Sequence, residues 1–309
     1  MSEKSTIQWT HATWNPAIGC DKVSPGCEFC YMMRDGEKYG DQREGVVRKA
    51  LTTFDAPLKW KRRLQFLAGK LAIADNEKYQ KEYDQLKAVK LVFTASLTDI
   101  FHPAIDSFRD EIWAIIRQCP EYTFQVLTKR IELVRERLPA DWGDGYSNVW
   151  LGCTVENQEY VNIRVPQLLS IPAAVHFVSY EPALGAAQFS HIDAELAGHP
   201  DYIQINALTG EHTDMGRRYG EVPKLDWIIV GGESGNDKGK WRYRKARLEW
   251  YEDVVRECKR SDTPVFMKQM GTWISKELKL HDRHGGEIEE FPAELQVREF
   301  PKSYKPTSI

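Results

Sequence analysis

The sequence predicts an α/β protein built as a parallel partial (β/α) barrel with insertions. Two observations carry this: short apolar runs alternate with amphipathic stretches along most of the chain, and the apolar runs end in polar residues. Near-continuous apolar runs suit parallel strands covered on both faces. Strand–helix alternation over this length gives βαβ units. In a parallel barrel the carboxyl ends of all strands meet at one face, so a shared set of polar strand ends points to one site there.

Taken in order, an early strand is expected over residues 12–19. Further strands read as 90–96 (KLVFTAS), 123–129 (TFQVLTK), 149–155 (VWLGCTV), 175–180 (VHFVSY), 227–231 (WIIVG) and 265–270 (VFMKQM). Helices are expected over 107–118, 131–137, 159–169 and 246–261. The last carries Leu248, Trp250, Tyr251, Val254, Val255 and Cys258 close to helical spacing. Seven strands rather than eight imply an open or partial barrel spanning residues 1–270. Three segments interrupt the rhythm. Residues 57–88 are charged and predict a helical hairpin on the outside of the barrel. Residues 186–225 are polar, with Thr209-Gly210 reading as the turn of a β-hairpin; an insertion of this length predicts a lid or substrate element. Residues 271–309 are expected to form a C-terminal extension across one mouth of the barrel.

The composition is that of a globular protein, 42% hydrophobic and 28% charged over 309 residues, enough to bury a substantial core. No apolar run approaches the roughly 20 residues that cross a bilayer. The N-terminal stretch lacks the apolar segment of a signal peptide. A cytoplasmic protein without a membrane partner is therefore expected. A net charge of −3 argues against a globally basic nucleic-acid binder, though a local basic face remains open. The six cysteines are not expected to form a disulfide framework in a reducing compartment.

Three of those cysteines crowd together. Cys20 and Cys27 enclose DKVSPG, and Cys27 and Cys30 enclose EF. Soft thiolates at this spacing suit an iron–sulfur cluster or zinc, and the Pro25-Gly26 turn bends the chain so that the sulfurs converge. A structural zinc site wants four protein ligands; His11 or the distant Cys153 would have to supply the fourth. Three thiolates are a complete set for a [4Fe–4S] cluster that leaves one iron open to a small molecule. The count favours the cluster, with zinc held by three cysteines and a water as the other reading.

The run TWNPAIGCDKVSPGCEFCYM resembles the opening of the phage-associated three-cysteine-motif family. SLTDIFH, FQVLTKR, WLGCTVENQ, VSYEPALG, WIIVGGESG and FMKQMG follow in that family's order, so the resemblance spans nearly the whole chain. The family is similar to radical S-adenosylmethionine enzymes, whose usual signature has three residues, not six, between the first two cysteines. Phe29 before Cys30 resembles the usual aromatic of that signature, packed near the adenine. The resemblance implies a barrel of the radical S-adenosylmethionine type and two cofactors, a [4Fe–4S] cluster on Cys20, Cys27 and Cys30 and S-adenosyl-L-methionine chelating the fourth iron. It implies an external electron donor, and cleavage of the sulfonium to a 5′-deoxyadenosyl radical that abstracts hydrogen from substrate.

That chemistry assigns expectations to the strand ends. Ser96, Thr98 and Asp99 are candidates for the methionyl amine, Lys129 or Arg130 for its carboxylate, and Glu156, Asn157 or Glu181 for the ribose. Each has a plainer reading as a salt bridge or helix cap at the barrel rim. Gly231-Gly232-Glu233 resembles the GGE that many radical enzymes place after the second strand for the methionyl amine. Here it follows the sixth, so close backbone approach to adenine or substrate is an equal reading and a simple turn the plain one. Cys153, at a strand end expected to face the mouth, is a candidate catalytic hydrogen donor, with burial as the commoner fate. Lys268, at the end of the last strand, is the other catalytic candidate.

Residues 238–247 (KGKWRYRKAR) and 59–63 (KWKRR) mix cations with aromatics, a combination that suits phosphates and bases as well as a solvated face. A nucleobase, nucleotide or nucleic acid is the working substrate. The alternative is a metal-stapled protein that binds nucleic acid or a partner without radical catalysis. A metal-dependent hydrolase ranks last, because the histidines are scattered with no HxH.

Overall fold

The structure is a computed structural model that describes residues 5–194, 203–214, 217–221 and 223–304. Seven parallel strands lie side by side in chain order: β1 (Ala12–Trp14), β2 (Leu91–Thr94), β3 (Thr123–Thr128), β4 (Val149–Val155), β5 (Val175–Tyr180), β6 (Trp227–Gly231) and β7 (Val265–Gln269). When spatial order follows chain order, right-handed crossovers all fall on one face and the sheet curls away from them into a half-barrel. That is the architecture the apolar runs predict. The first strand is shorter than expected. Pro16 offers no N–H to a ladder, and Ala17–Ile18 leaves the sheet to pair antiparallel with Arg48–Lys49.

The connections differ among themselves. Between β1 and β2 lie α1 (Tyr31–Lys38) and an outer hairpin of α2 (Ala56–Leu71) and α3 (Glu77–Ala88). Helix α4 (Arg109–Gln118) links β2 to β3, α5 (Gln158–Leu169) links β4 to β5, and α6 (Leu248–Ser261) links β6 to β7. The helix expected over 131–137 forms only two 3₁₀ turns, Ile131–Leu133 and Arg135–Arg137. Seven residues ahead of Leu138-Pro139 make too few hydrogen bonds to offset helix nucleation.

No helix joins β5 to β6 among the described residues. An antiparallel sheet of Ile192–Ala194, Ile203–Asn206, Glu211–Asp214 and Arg217–Glu221 stands there, with Thr209-Gly210 in its central turn. Ile192, Ala194, Ile203 and Ile205 are buried in the core between the barrel and its outer layer. Phe189 N donates to Glu257 on α6 (2.9 Å), and Leu225 N donates to Ala207 O (2.8 Å) at the amino end of β6. In its described part, the insertion expected as a lid packs as this outer layer. Residues 195–202, 215–216 and 222 lie outside the described residues.

Strand alternation sorts the side chains into two cores. Val92, Val126, Leu151, Val178, Val230 and Met267 face the helices. Leu91, Phe93, Trp150, Phe177, Trp227, Ile229 and Phe266 face inward. The inward set is aromatic near the amino ends of the strands: the Trp227 ring meets Trp9, Trp150, Phe177 and Phe266 at centroid distances of 5.8–6.2 Å. After α7 (Gly271–Glu277), the C-terminal extension pairs along β7 through Met267 N→Val297 O, then brings Phe300 onto Trp227 (5.5 Å) and Tyr304 onto Trp150 (5.7 Å). The amino-end mouth is thus plugged, which leaves the carboxyl-end mouth for chemistry. Among the described residues no helix is long and apolar enough to cross a membrane.

Candidate functional site

All three clustered cysteines lie at the carboxyl-end mouth. Cys20 follows Gly19, whose φ of +105° and closeness to Val46 O, 1.8 Å from where a Cβ would sit, admit only glycine. Cys27 closes a 3₁₀ turn begun by Pro25, and Cys30 caps the amino end of α1. Side chains from several strand ends hold this segment down. Thr98 Oγ1 donates to Gly19 O (2.6 Å), and Asp21 Oδ2 meets His102 Nε2 (2.8 Å). Ser24 Oγ donates to Glu156, whose other oxygen pairs with Arg164 (3.0 Å) in full burial. Gly26 lies so close to Glu156 that a Cβ there would stand 2.5 Å from Oε1. Arg244 spans the mouth from the far side. It holds Glu233 through Nε (2.9 Å), donates to Pro25 O (3.0 Å) and Glu28 (3.2 Å), and lies over the Phe29 ring (5.1 Å).

Several residues expected to hold S-adenosylmethionine are occupied by the chain itself. Asp99 is buried and accepts from Thr128 Oγ1 (2.8 Å), Lys129 N (3.0 Å) and Phe101 N (3.0 Å). Ser96 Oγ pairs with Asn15 (3.0 Å), and Ser96 O accepts from Tyr31. Asn157 caps α5 by accepting from Tyr160 N (3.2 Å). Gly232 packs under Met270 O, and its N donates to Gln269 O (3.0 Å). Cys153 does not reach the mouth. It falls on the outward parity of β4, fully buried among helix-facing residues, and burial pushes its thiol up to about 12.

Other groups remain open. Burial works against the charge of Lys129, yet Cys27, Glu156 and Cys30 around it raise its pKa. Its ammonium makes no hydrogen bond among the described residues. Arg130 Nε and Glu181 Oε1 are buried without a hydrogen-bond partner among the described residues. Glu181 Oε2 pairs with Lys268 Nζ (2.8 Å). Gly231 lies between them, and a Cβ there would stand 2.5 Å from Glu181 Oε1. Burial, then Asp99, push the Cys20 thiol up to about 11 against the pull of Arg130. Tyr31 is 44% exposed, yet desolvation raises its hydroxyl pKa and Glu181 is felt across the gap.

A family model described as "Protein of unknown function (DUF5131)" matches residues 4–298. The chain belongs to the DUF5131 family. No curated protein and no solved structure matches it. In this DUF5131 chain, no three Cys, His, Asp or Glu side chains among the described residues stand as a group able to hold one metal ion. Zn–S bonds of about 2.3 Å would hold two sulfurs within about 4 Å of each other, whereas a four-iron cluster binds each thiolate through a different iron. Three thiolates on one segment are soft donors that fit an iron–sulfur cluster. The neighbours fit too: Lys129 and Arg130 stand near the thiolates and offset their charge.

Ser24, Tyr31, Arg164 and Arg244 contribute to the site without having been legible as site residues. Arg244 sits in the basic 238–247 run, but nothing in that run signals its pairing with Glu233.

Proposed function

We propose that the chain is a radical S-adenosylmethionine enzyme whose [4Fe–4S] cluster is held by Cys20, Cys27 and Cys30 above the open mouth of the half-barrel. The observation that carries this reading is the position of the three cysteines: one segment, fastened over the carboxyl ends of parallel strands, beside Lys129 and the unpartnered Arg130 Nε. When bound, cluster and S-adenosylmethionine together supply one-electron reductive cleavage of a sulfonium, with electrons from an external donor. The chain's own residues then have defined tasks. Lys129 and Arg130 lower the charge of the thiolate-rich segment and offer cations to a carboxylate. Glu156, Asp99 and Thr98 hold the cysteine segment and the strand ends in register. The aromatic plug keeps water from entering through the opposite mouth. Lys268 and Glu181 are the polar groups left facing a substrate.

The test is anaerobic reconstitution with iron and sulfide, then reduction with S-adenosylmethionine and assay for 5′-deoxyadenosine. The expected result is iron near four per chain and product that disappears in Cys27→Ala. One tightly held zinc per chain and no 5′-deoxyadenosine would overturn the reading in favour of a metal-stapled binding protein.

A further inference from the structure

The mouth has two unlike halves. The cysteine segment lies over β1–β4, fastened to Thr98, Asp21–His102 and Glu156. The β5–β7 half presents Glu181, Lys268 and the bare backbone of Gly231. Lys268 reaches Glu181 across β6 because position 231 carries no side chain. One carboxylate oxygen is thereby fixed, and the other is buried against Gly231 with no donor among the described residues. A buried acceptor left without a donor is destabilising, so its natural partner is a donor from outside. The Lys268 ammonium has further N–H groups to give. An acceptor and a donor side by side match a planar edge that carries an N–H next to a carbonyl or ring nitrogen.

Two further observations narrow the class. The Tyr31 ring is exposed, with its hydroxyl fastened to Ser96 O, and a flat exposed ring suits stacking. The segment after β6 folds back on itself through Asn236 N→Trp241 O (2.8 Å) and rests on α1 through Lys240–Glu37 (2.8 Å). This strap leaves Lys238, Arg242 and Arg247 exposed at the rim, without a carboxylate partner among the described residues. Cations so placed suit phosphate.

We propose that the β5–β7 half of the mouth binds a nucleotide, with the base edge on Glu181 and Lys268, the ring against Tyr31 and the phosphate on the strap. The proposal rests on the reading of the mouth as an enzyme site and names its substrate class. The nucleotide is either free or one unit of a single-stranded nucleic acid.

The experiment uses the full reconstituted chain. Fluorescence anisotropy follows a labelled single-stranded oligonucleotide of mixed sequence, with competition by each nucleoside monophosphate, while calorimetry follows S-adenosylmethionine on the same samples. The expected result is nucleotide binding that weakens about tenfold in Glu181→Gln with S-adenosylmethionine affinity unchanged. In the exposed double variant Lys238→Ala/Arg247→Ala, the slope of log affinity against log salt falls by about one to two. Competition by monophosphates identifies a free nucleotide, and binding of the oligonucleotide alone identifies a nucleic acid; both support the proposal. If neither binds while S-adenosylmethionine does, the nucleotide assignment falls and the radical reading stands. If Glu181→Gln abolishes S-adenosylmethionine binding instead, Glu181 serves the cofactor and the assignment also falls. Nucleotide binding by a chain that never cleaves S-adenosylmethionine sinks the radical reading and leaves this one in place.

Discussion

Asp99 and Glu181 are both acidic residues in loops that leave the carboxyl end of a parallel strand, Asp99 five residues after β2 and Glu181 directly after β5. Asp99, in the cysteine half of the mouth, accepts from three donors of the chain and ties the loop after β2 to the end of β3. Glu181, in the opposite half, has one oxygen on Lys268 and the other without a donor among the described residues. The difference separates a carboxylate saturated by the frame from one that is only half satisfied by it. Glu156 belongs with Asp99, since it anchors Ser24 and Arg164. Glu233 stands between the two kinds. It is saturated by Arg244, but that arginine carries the contact across the mouth to Pro25 and Phe29.

The largest expected effect comes from breaking the anchoring half. Arg164→Met leaves Glu156 buried as an unpaired charge beneath the cysteine segment. Removing one partner of a buried pair costs about 3–5 kcal/mol, so the urea midpoint should fall sharply. Iron retained after reconstitution should fall with it, because Ser24 and Gly26 lean on the same carboxylate. An unchanged midpoint would mean that the cysteine segment is not fastened through Glu156, and the contrast between the halves would lose its basis.

A matched pair of acid-to-amide substitutions sharpens the contrast. Asp99→Asn replaces an acceptor-only group with one that also donates, in a pocket already filled by donors. The expected cost is about 1–3 kcal/mol, read by urea unfolding. Glu181→Gln keeps an acceptor for Lys268 and should change stability by less than about 1 kcal/mol. Equal losses of stability in the two variants would show that Glu181, too, is part of the frame.

The strands were legible because their apolar runs are long and nearly unbroken, as in VWLGCTV and WIIVG, and a parallel strand buried on both faces needs that composition. The spacing of Cys20, Cys27 and Cys30 singled out a segment that the structure sets over the carboxyl ends of the strands. Parity was not. Cys153 lies one residue from Gly152, which faces the inward Phe177 ring, and a one-residue error of frame turns a side chain from the mouth to the helices. Long-range pairs were equally hidden. Arg164 meets Glu156 only because α5 returns along β4, and Arg244 meets Pro25 only because the strap folds back. The 3₁₀ turns at Ile131–Leu133 and Arg135–Arg137 show a helical pattern cut short by a proline just beyond it.

The smallest effect concerns the cysteines that face away from both halves. Burial pushes the Cys119 and Cys153 thiols up to about 12, from about 9 when unfolded. A raised folded value means that the folded chain keeps a proton the unfolded chain gives up. The stability these thiols contribute is complete below pH 9 and is lost as pH rises from there toward 12. By pH 9.5 the loss is about 0.8 kcal/mol for each. Urea midpoints measured between pH 8 and 9.5 should therefore decline, and Cys153→Ala should flatten the decline by its own share while lowering the starting midpoint through the lost packing. Iodoacetamide treatment of the iron-free chain at pH 8 should label Cys30, a partly exposed thiol of the segment, ahead of the buried Cys119, Cys153 and Cys258. Rapid labelling of Cys153 under these conditions would put its thiol at the mouth and restore it as a candidate hydrogen donor.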